Sequence, residues 1–93
     1  MVVAVIRFDL SIPHATSLKE KRRVVSSIME KARSRFGVAA AEVGSQDLWQ
    51  RAEVGMALVS PALHHAREMA AKVVAFVESH FEGEVCRAEV EIL

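Results

Sequence analysis

The side chains best placed to do chemistry fall in two short stretches. The first is EVGSQDLWQRAEVG, residues 42–55, which holds the sole tryptophan, Trp49, among Gln46, Asp47, Gln50 and Arg51, with Gly44 and Gly55 on either side. An indole offers a flat apolar face and one N–H, while the neighbouring amides, carboxylate and guanidinium add directional donors and acceptors. The second is SLKEKRR, residues 17–23, which clusters Lys19, Lys21, Arg22 and Arg23 at what reads as a helix start. Helix N-terminal N–H groups carry positive partial charge, and cations around them hold phosphate oxygens. Anion contact and stacking are the chemistry on offer.

Catalytic and metal chemistry find little support. His14, His64, His65 and His80 include no i, i+4 pair, and one cysteine completes no zinc set. No Ser-His-Asp or Cys-His arrangement and no glycine-rich phosphate loop stands out. An acylphosphatase-like activity would want an asparagine beside its anion cradle, and the chain has none. No catalytic residue, metal or cofactor is assigned; an enzyme here would have to use Asp47 or His14 as acid–base groups.

The totals bound the rest. Ninety-three residues make one domain, 1–93, able to bury roughly 60–65% of its unfolded surface around a single core. The chain is 52% hydrophobic, high for a small monomer, so a second copy is expected to cover some apolar surface. Net charge is zero, yet residues 17–35 hold seven bases against two acids, and Glu78 to Glu91 holds five acids against one base. Lone Cys86 in a strand-like run reads as a small buried hydrophobe. No leader pattern and no apolar run of ~20 residues appears, so the reading is cytoplasmic, without a membrane. The lack of asparagine hints at a heat-adapted source.

These residues need elements to position them. VVAVIRFDL, 2–10, alternates as a strand with Val2, Ala4, Ile6, Phe8 and Leu10 on one face, and Pro13 ends it. Ser17 and Glu20 fit a capping box, Leu18, Val25, Ile28, Met29, Ala32 and Phe36 form a helical stripe, and Gly37 closes it as a left-handed cap. Strands follow at 38–43 and about 50–59, separated by the loop 44–49. Ser60-Pro61 reads as a cap with proline at the first helical position. The second helix turns Leu63, Ala66, Met69, Ala70, Val73, Val77 and Phe81 inward. After Gly83 a last strand alternates Cys86, Ala88, Val90 and Ile92 with Arg87, Glu89 and Glu91.

The order βαββαβ implies an α+β, ferredoxin-like split βαβ fold, its antiparallel sheet ordered 4-1-3-2 with both helices on one face. That topology brings residues 14–23, 44–51 and 80–84 to one sheet edge, where the site is expected. Lys21 falls beside the apolar stripe and must snorkel or find a carboxylate, Asp47 or Glu42. The bland readings stay open: a solvated basic face, Trp49 as a lid over the core edge, Arg51 and Asp47 bracing the loop, His80 as cap or packing. The open sheet face, with Val3, Val5, Arg7, Asp9, Ala57 and Val59, lacks the aromatics of RNA-recognition domains. It better suits self-association, with Arg7 and Glu89 able to pair across strands.

SLKEKRR at 17–23, AEVG-x-QDLWQRA at 41–52 and the closing EIL at 91–93 resemble the YlxP-like family, small bacterial proteins described as a domain of unknown function. The resemblance runs nearly end to end. It implies a ferredoxin-like fold and a link to translation, because members are often encoded beside ribosome-maturation and translation-initiation factors. The expected function is a non-enzymatic RNA- or ribosome-associated protein, with ribosomal RNA or a ribosome-associated protein as partner. Lys19, Lys21, Arg22, Arg23 and Arg51 would contact phosphates; Gln46 and Trp49 would contact a base or protein, with Asp47 beside them. The alternative is a homo-oligomeric or small-anion-binding module with no nucleic-acid role.

Overall fold

Alternation of apolar side chains sets the first strand, β1 (Val2–Ser11), and the computed structural model, which describes residues 1–93, places it in the middle of the sheet. Ala4, Ile6, Phe8 and Leu10 are all but sealed from solvent on one face. The helix α1 (Leu18–Phe36) follows, then β2 (Ala39–Gly44), β3 (Arg51–Ser60), α2 (Leu63–His80) and β4 (Glu84–Ile92). The strands lie in the order β2-β3-β1-β4, and each neighbouring pair is antiparallel. This is the ferredoxin-like arrangement that the element order implies.

One core serves both helices. Val24, Val25, Ile28 and Ala32 of α1 and Ala66, Ala70, Val73 and Val77 of α2 pack with the inward residues of β1 and β3. Ala66 and Ala70 are fully buried, and their small side chains let α2 lie close to the sheet. Each sealed Ile, Leu or Phe contributes about 1.5–3 kcal/mol by leaving water. The opposite face of the sheet carries no helix.

The caps repeat and amend the sequence pattern. Ser17 Oγ accepts the Glu20 N–H at 3.1 Å, and Gly37 closes α1 in the left-handed region at φ 68°, its N–H donating to Arg33 O. The Glu20 carboxylate goes one residue further back than a capping box requires, accepting from Thr16 N–H (3.2 Å) and Thr16 Oγ1 (2.8 Å). Those bonds hold its pKa below the usual carboxylate range.

At the other helix start the expectation fails. Ala62, not Ser60, is the residue before α2, and Pro61 lies outside the helix. Ser60 Oγ instead folds over the turn, accepting Ala62 N–H at 3.2 Å and bonding Ala62 O at 2.9 Å and His65 Nδ1 at 2.7 Å. The hydroxyl is spent on the turn and on the His65 side chain instead of on a free N–H of the helix end. Leu63, so close to that turn, remains 45% exposed rather than packed.

Cys86 is also not where simple alternation puts it. A β-bulge in the β1–β4 register sets Asp9 opposite Arg87 but Leu10 opposite Val85. The extra residue, Cys86, is exposed, and Val85 packs against the core in its place. Val90, further along β4, is half exposed on this edge strand. No helix is long and apolar enough to cross a membrane.

Candidate functional site

Three separate segments meet at the end of β1. Ser11 lies opposite Arg51 of β3 on one side and Glu84 of β4 on the other. Ile12 N–H donates to Gln50 O at 2.9 Å, and Gln50 Nε2 donates to Pro13 O and Ala15 O at 3.0 and 3.2 Å. Gly83 tucks against Ser11, where an added Cβ would stand 2.5 Å from its carbonyl oxygen. Arg23 Nη1 comes within 4.0 Å of Glu82 Oε2. The connection before α1, the β2–β3 loop and the turn before β4 therefore share one edge.

Lys21 is the centre of this construction. Its side chain is wholly buried, and Nζ reaches Glu42 Oε2 at 2.7 Å, Ser45 O at 3.0 Å, Arg51 O at 3.2 Å and Gln46 O at 3.4 Å. Of the two carboxylates the sequence offers it, Glu42 is the partner. Glu42 points inward because it pairs with Val54, whose side chain belongs to the core face. An ammonium has three protons, so four oxygens leave it none for a ligand. Lys21 is thus a pin joining α1 to both ends of the loop, and it leaves the set of phosphate-contacting candidates.

The loop itself is locked around a turn. Leu48 N–H donates to Ser45 O at 3.1 Å, with Ser45 in the left-handed region at φ 57°. A further register shift accommodates Val43, and Gly44 leaves room for the Glu53 carboxylate, which a Cβ would strike. Gln46 Nε2 lies 3.4 Å from Glu42 O. Despite this bracing, Leu48 and Trp49 are each 53% exposed, and Trp49 is not among the residues packed on the core. The lid reading of Trp49 does not hold. Leu48 escapes a sequence reading, although an apolar residue between Asp47 and Trp49 in a polar loop is a signal in retrospect.

The remaining site residues separate into free and engaged groups. Lys19 and Arg22 are exposed and make no ion pair or side-chain hydrogen bond. Arg22 and Arg33 lie eleven residues apart, about three turns, so they share one side of α1. Arg33 Nη2 bonds Ala40 O of β2, which places Arg22 on the flank facing β2 and its loop. Asp47 is exposed and does not pair with Arg51, so the two do not brace the loop. Arg51 sits on the open face, its Nη1 3.9 Å from Cys86 Sγ. His80 turns away from the site, stacked on Phe76 at 4.2 Å with Nδ1 bonded to Phe76 O, as a packing residue. No three His, Cys, Asp or Glu side chains are grouped to share a metal ion.

Residues 3–90 match the family described as "Protein of unknown function (DUF503)". The chain belongs to that family. It is also 40% identical over 70 residues to "Uncharacterized protein YlxP" of Bacillus subtilis (strain 168), covering 75% of this chain and 76% of the relative. Among solved structures it is similar to protein Atu4242 of Agrobacterium tumefaciens, with TM-score 0.56, 17% identity and 100% and 91% of the two chains covered. A de novo designed protein with ferredoxin fold aligns with TM-score 0.55 and 8% identity, over 100% and 83% of the two chains. At such identities the likeness concerns the fold alone. The two motifs that mark this YlxP-like chain in sequence, 17–23 and 41–52, are the ones Lys21 pins together.

Proposed function

We propose that this protein is a non-enzymatic RNA- or ribosome-associated factor of the cytoplasm, linked to translation or ribosome maturation. One observation carries the reading: uncommitted cations at the start of α1 stand beside a locked loop that keeps Trp49 half out of the fold. Lys19, Arg22 and Arg23 would contact phosphates, with Arg51 a further cation on the open-face side of the loop. Trp49 and Gln46 would contact a base or a protein partner. Lys21 takes a positioning role instead of a contact, which narrows the expected phosphate set. A rigid platform suits such a role, because recognition loses less entropy when the loop is ordered beforehand.

The test is co-sedimentation with ribosomal subunits at low and high salt, with the wild type beside a triple charge reversal at Lys19, Arg22 and Arg23. Phosphate contacts release counterions, so affinity is expected to fall steeply with salt and to vanish in the variant. Absence of binding by the wild type at low salt, or binding indifferent to salt, overturns the reading.

A further inference from the structure

The face of the sheet turned away from the helices divides in two. Towards the start of β1 it is apolar: Val3, Val5, Val59, Ala57, Gly55 and Val43 adjoin through the β1–β3 and β2–β3 registers. Val59 is 65% exposed and Val43 59%, at the two ends of this strip, and contiguous exposed apolar surface of this kind marks an interaction site. Across the rest of the face lie Arg7, Asp9, Glu53, Arg87, Glu89 and Glu91. Arg7 faces Glu89 in register, but the Glu89 carboxylate is held by Arg87, so the expected Arg7–Glu89 pair does not form.

We propose that this face binds a second copy of the chain, sheet against sheet, to make a homodimer. Shape favours a copy over a foreign partner. A shallow hollow floored by Ala39, Ala41, Gly55 and Ala57 lies between Val5 and Val43, and the protruding Val59 stands beside it. In a two-fold interface one patch meets itself, so a knob next to a hollow lets each copy's knob seat in the other's hollow. Area favours it too. Strands ~4.8 Å apart and roughly 30 Å long offer on the order of 500 Å² of flat surface per copy. Side-chain relief raises the pair towards the ~1,200 Å² at which stable interfaces begin. The charged half becomes the rim, where polar groups keep their water. Val3 and Val59 lie at the opposite end of the β1–β3 ladder from Ser11 and Arg51, so the Val59 knob stands away from the Trp49 loop.

Sedimentation velocity across a concentration series, at low and high salt, tests this on the full chain. The wild type is expected to dimerise with little salt dependence, unlike binding through Lys19 and Arg22. Val59→Asp, at an exposed position, should keep the fold by circular dichroism yet weaken dimerisation on the order of a hundredfold or more, since each dimer would bury two carboxylates. Ala75→Glu, on the exposed side of α2, should leave it unchanged. A wild type monomeric at its highest soluble concentration overturns the proposal, as does a dimer that survives Val59→Asp or dissociates with Ala75→Glu.

Discussion

Replacing Lys21 with methionine tests whether the edge is built as the structure describes. Methionine keeps much of the buried stem but removes the ammonium, leaving the Glu42 carboxylate, 16% exposed, without its cation. The carbonyls of Ser45, Gln46 and Arg51 lose the same donor. Removing one partner of a buried pair costs about 3–5 kcal/mol. A chain of 93 residues has a total stability of roughly 5–14 kcal/mol, so the variant should lose at least about a fifth of it. Trp49 is the sole tryptophan and there is no tyrosine, so urea unfolding followed by intrinsic fluorescence reads the loop, and far-ultraviolet circular dichroism reads the whole fold. The double variant Lys21→Met/Glu42→Leu removes both charges and should recover much of the loss, because an ion pair replaced by apolar side chains is often neutral or better. A single variant that loses less than about 1 kcal/mol, the size of an exposed ion pair, would refute the buried-pin account. So would a double variant less stable than the single one.

Three other perturbations probe the details. Gly83→Ala forces a Cβ against the Ser11 carbonyl and the Phe81 ring, and should cost about 1–3 kcal/mol in urea unfolding; a neutral result would mean that the turn before β4 is not closely packed. Glu20 has its pKa depressed by the Thr16 hydrogen bonds, so its contribution is full above the ordinary carboxylate pKa and is lost as pH falls through the lowered value. Glu20→Gln should therefore flatten the acid limb of the stability–pH profile, and an unchanged limb would remove Glu20 from the account. Cys86 is exposed, so a thiol reagent should modify it completely in the folded protein, whereas protection until unfolding would restore the buried position expected from alternation.

Alternation and capping made most of the fold legible. The order of elements, the buried face of β1, the Ser17 cap and the left-handed Gly37 follow from local chemistry that tertiary contacts only reinforce. The failures arise where one residue breaks a period. The bulge at Cys86 leaves Ala88 and Ile92 on the core face, as alternation predicts, but turns Val85 inward in place of Cys86, and nothing in VCRAEVEIL marks the shift, because both cysteine and valine suit an inward position. Ser60-Pro61 carries a cap signature, yet the hydroxyl closes a turn two residues early. The bond from Lys21 to Glu42 joins residues 21 positions apart, and only the topology puts them together.

The same topology gives the edge its shape. A lysine fallen on the apolar side of α1 would ordinarily be a burden, since burying its charge is costly without full pairing. Here one carboxylate and three carbonyls meet it, and every buried side-chain polar atom in the protein has a partner. Those bonds order the flanks of a loop whose tip then exposes Leu48 and Trp49. A protein needing only stability gains nothing by ordering a loop to hold apolar side chains in water, because hydrophobic burial would reward turning them inward. The pin and the exposed tip make sense together if the tip is a contact. A loop freed by Lys21→Met should then weaken whatever binds Trp49, while the double variant, if it also restores the loop, should recover binding along with stability.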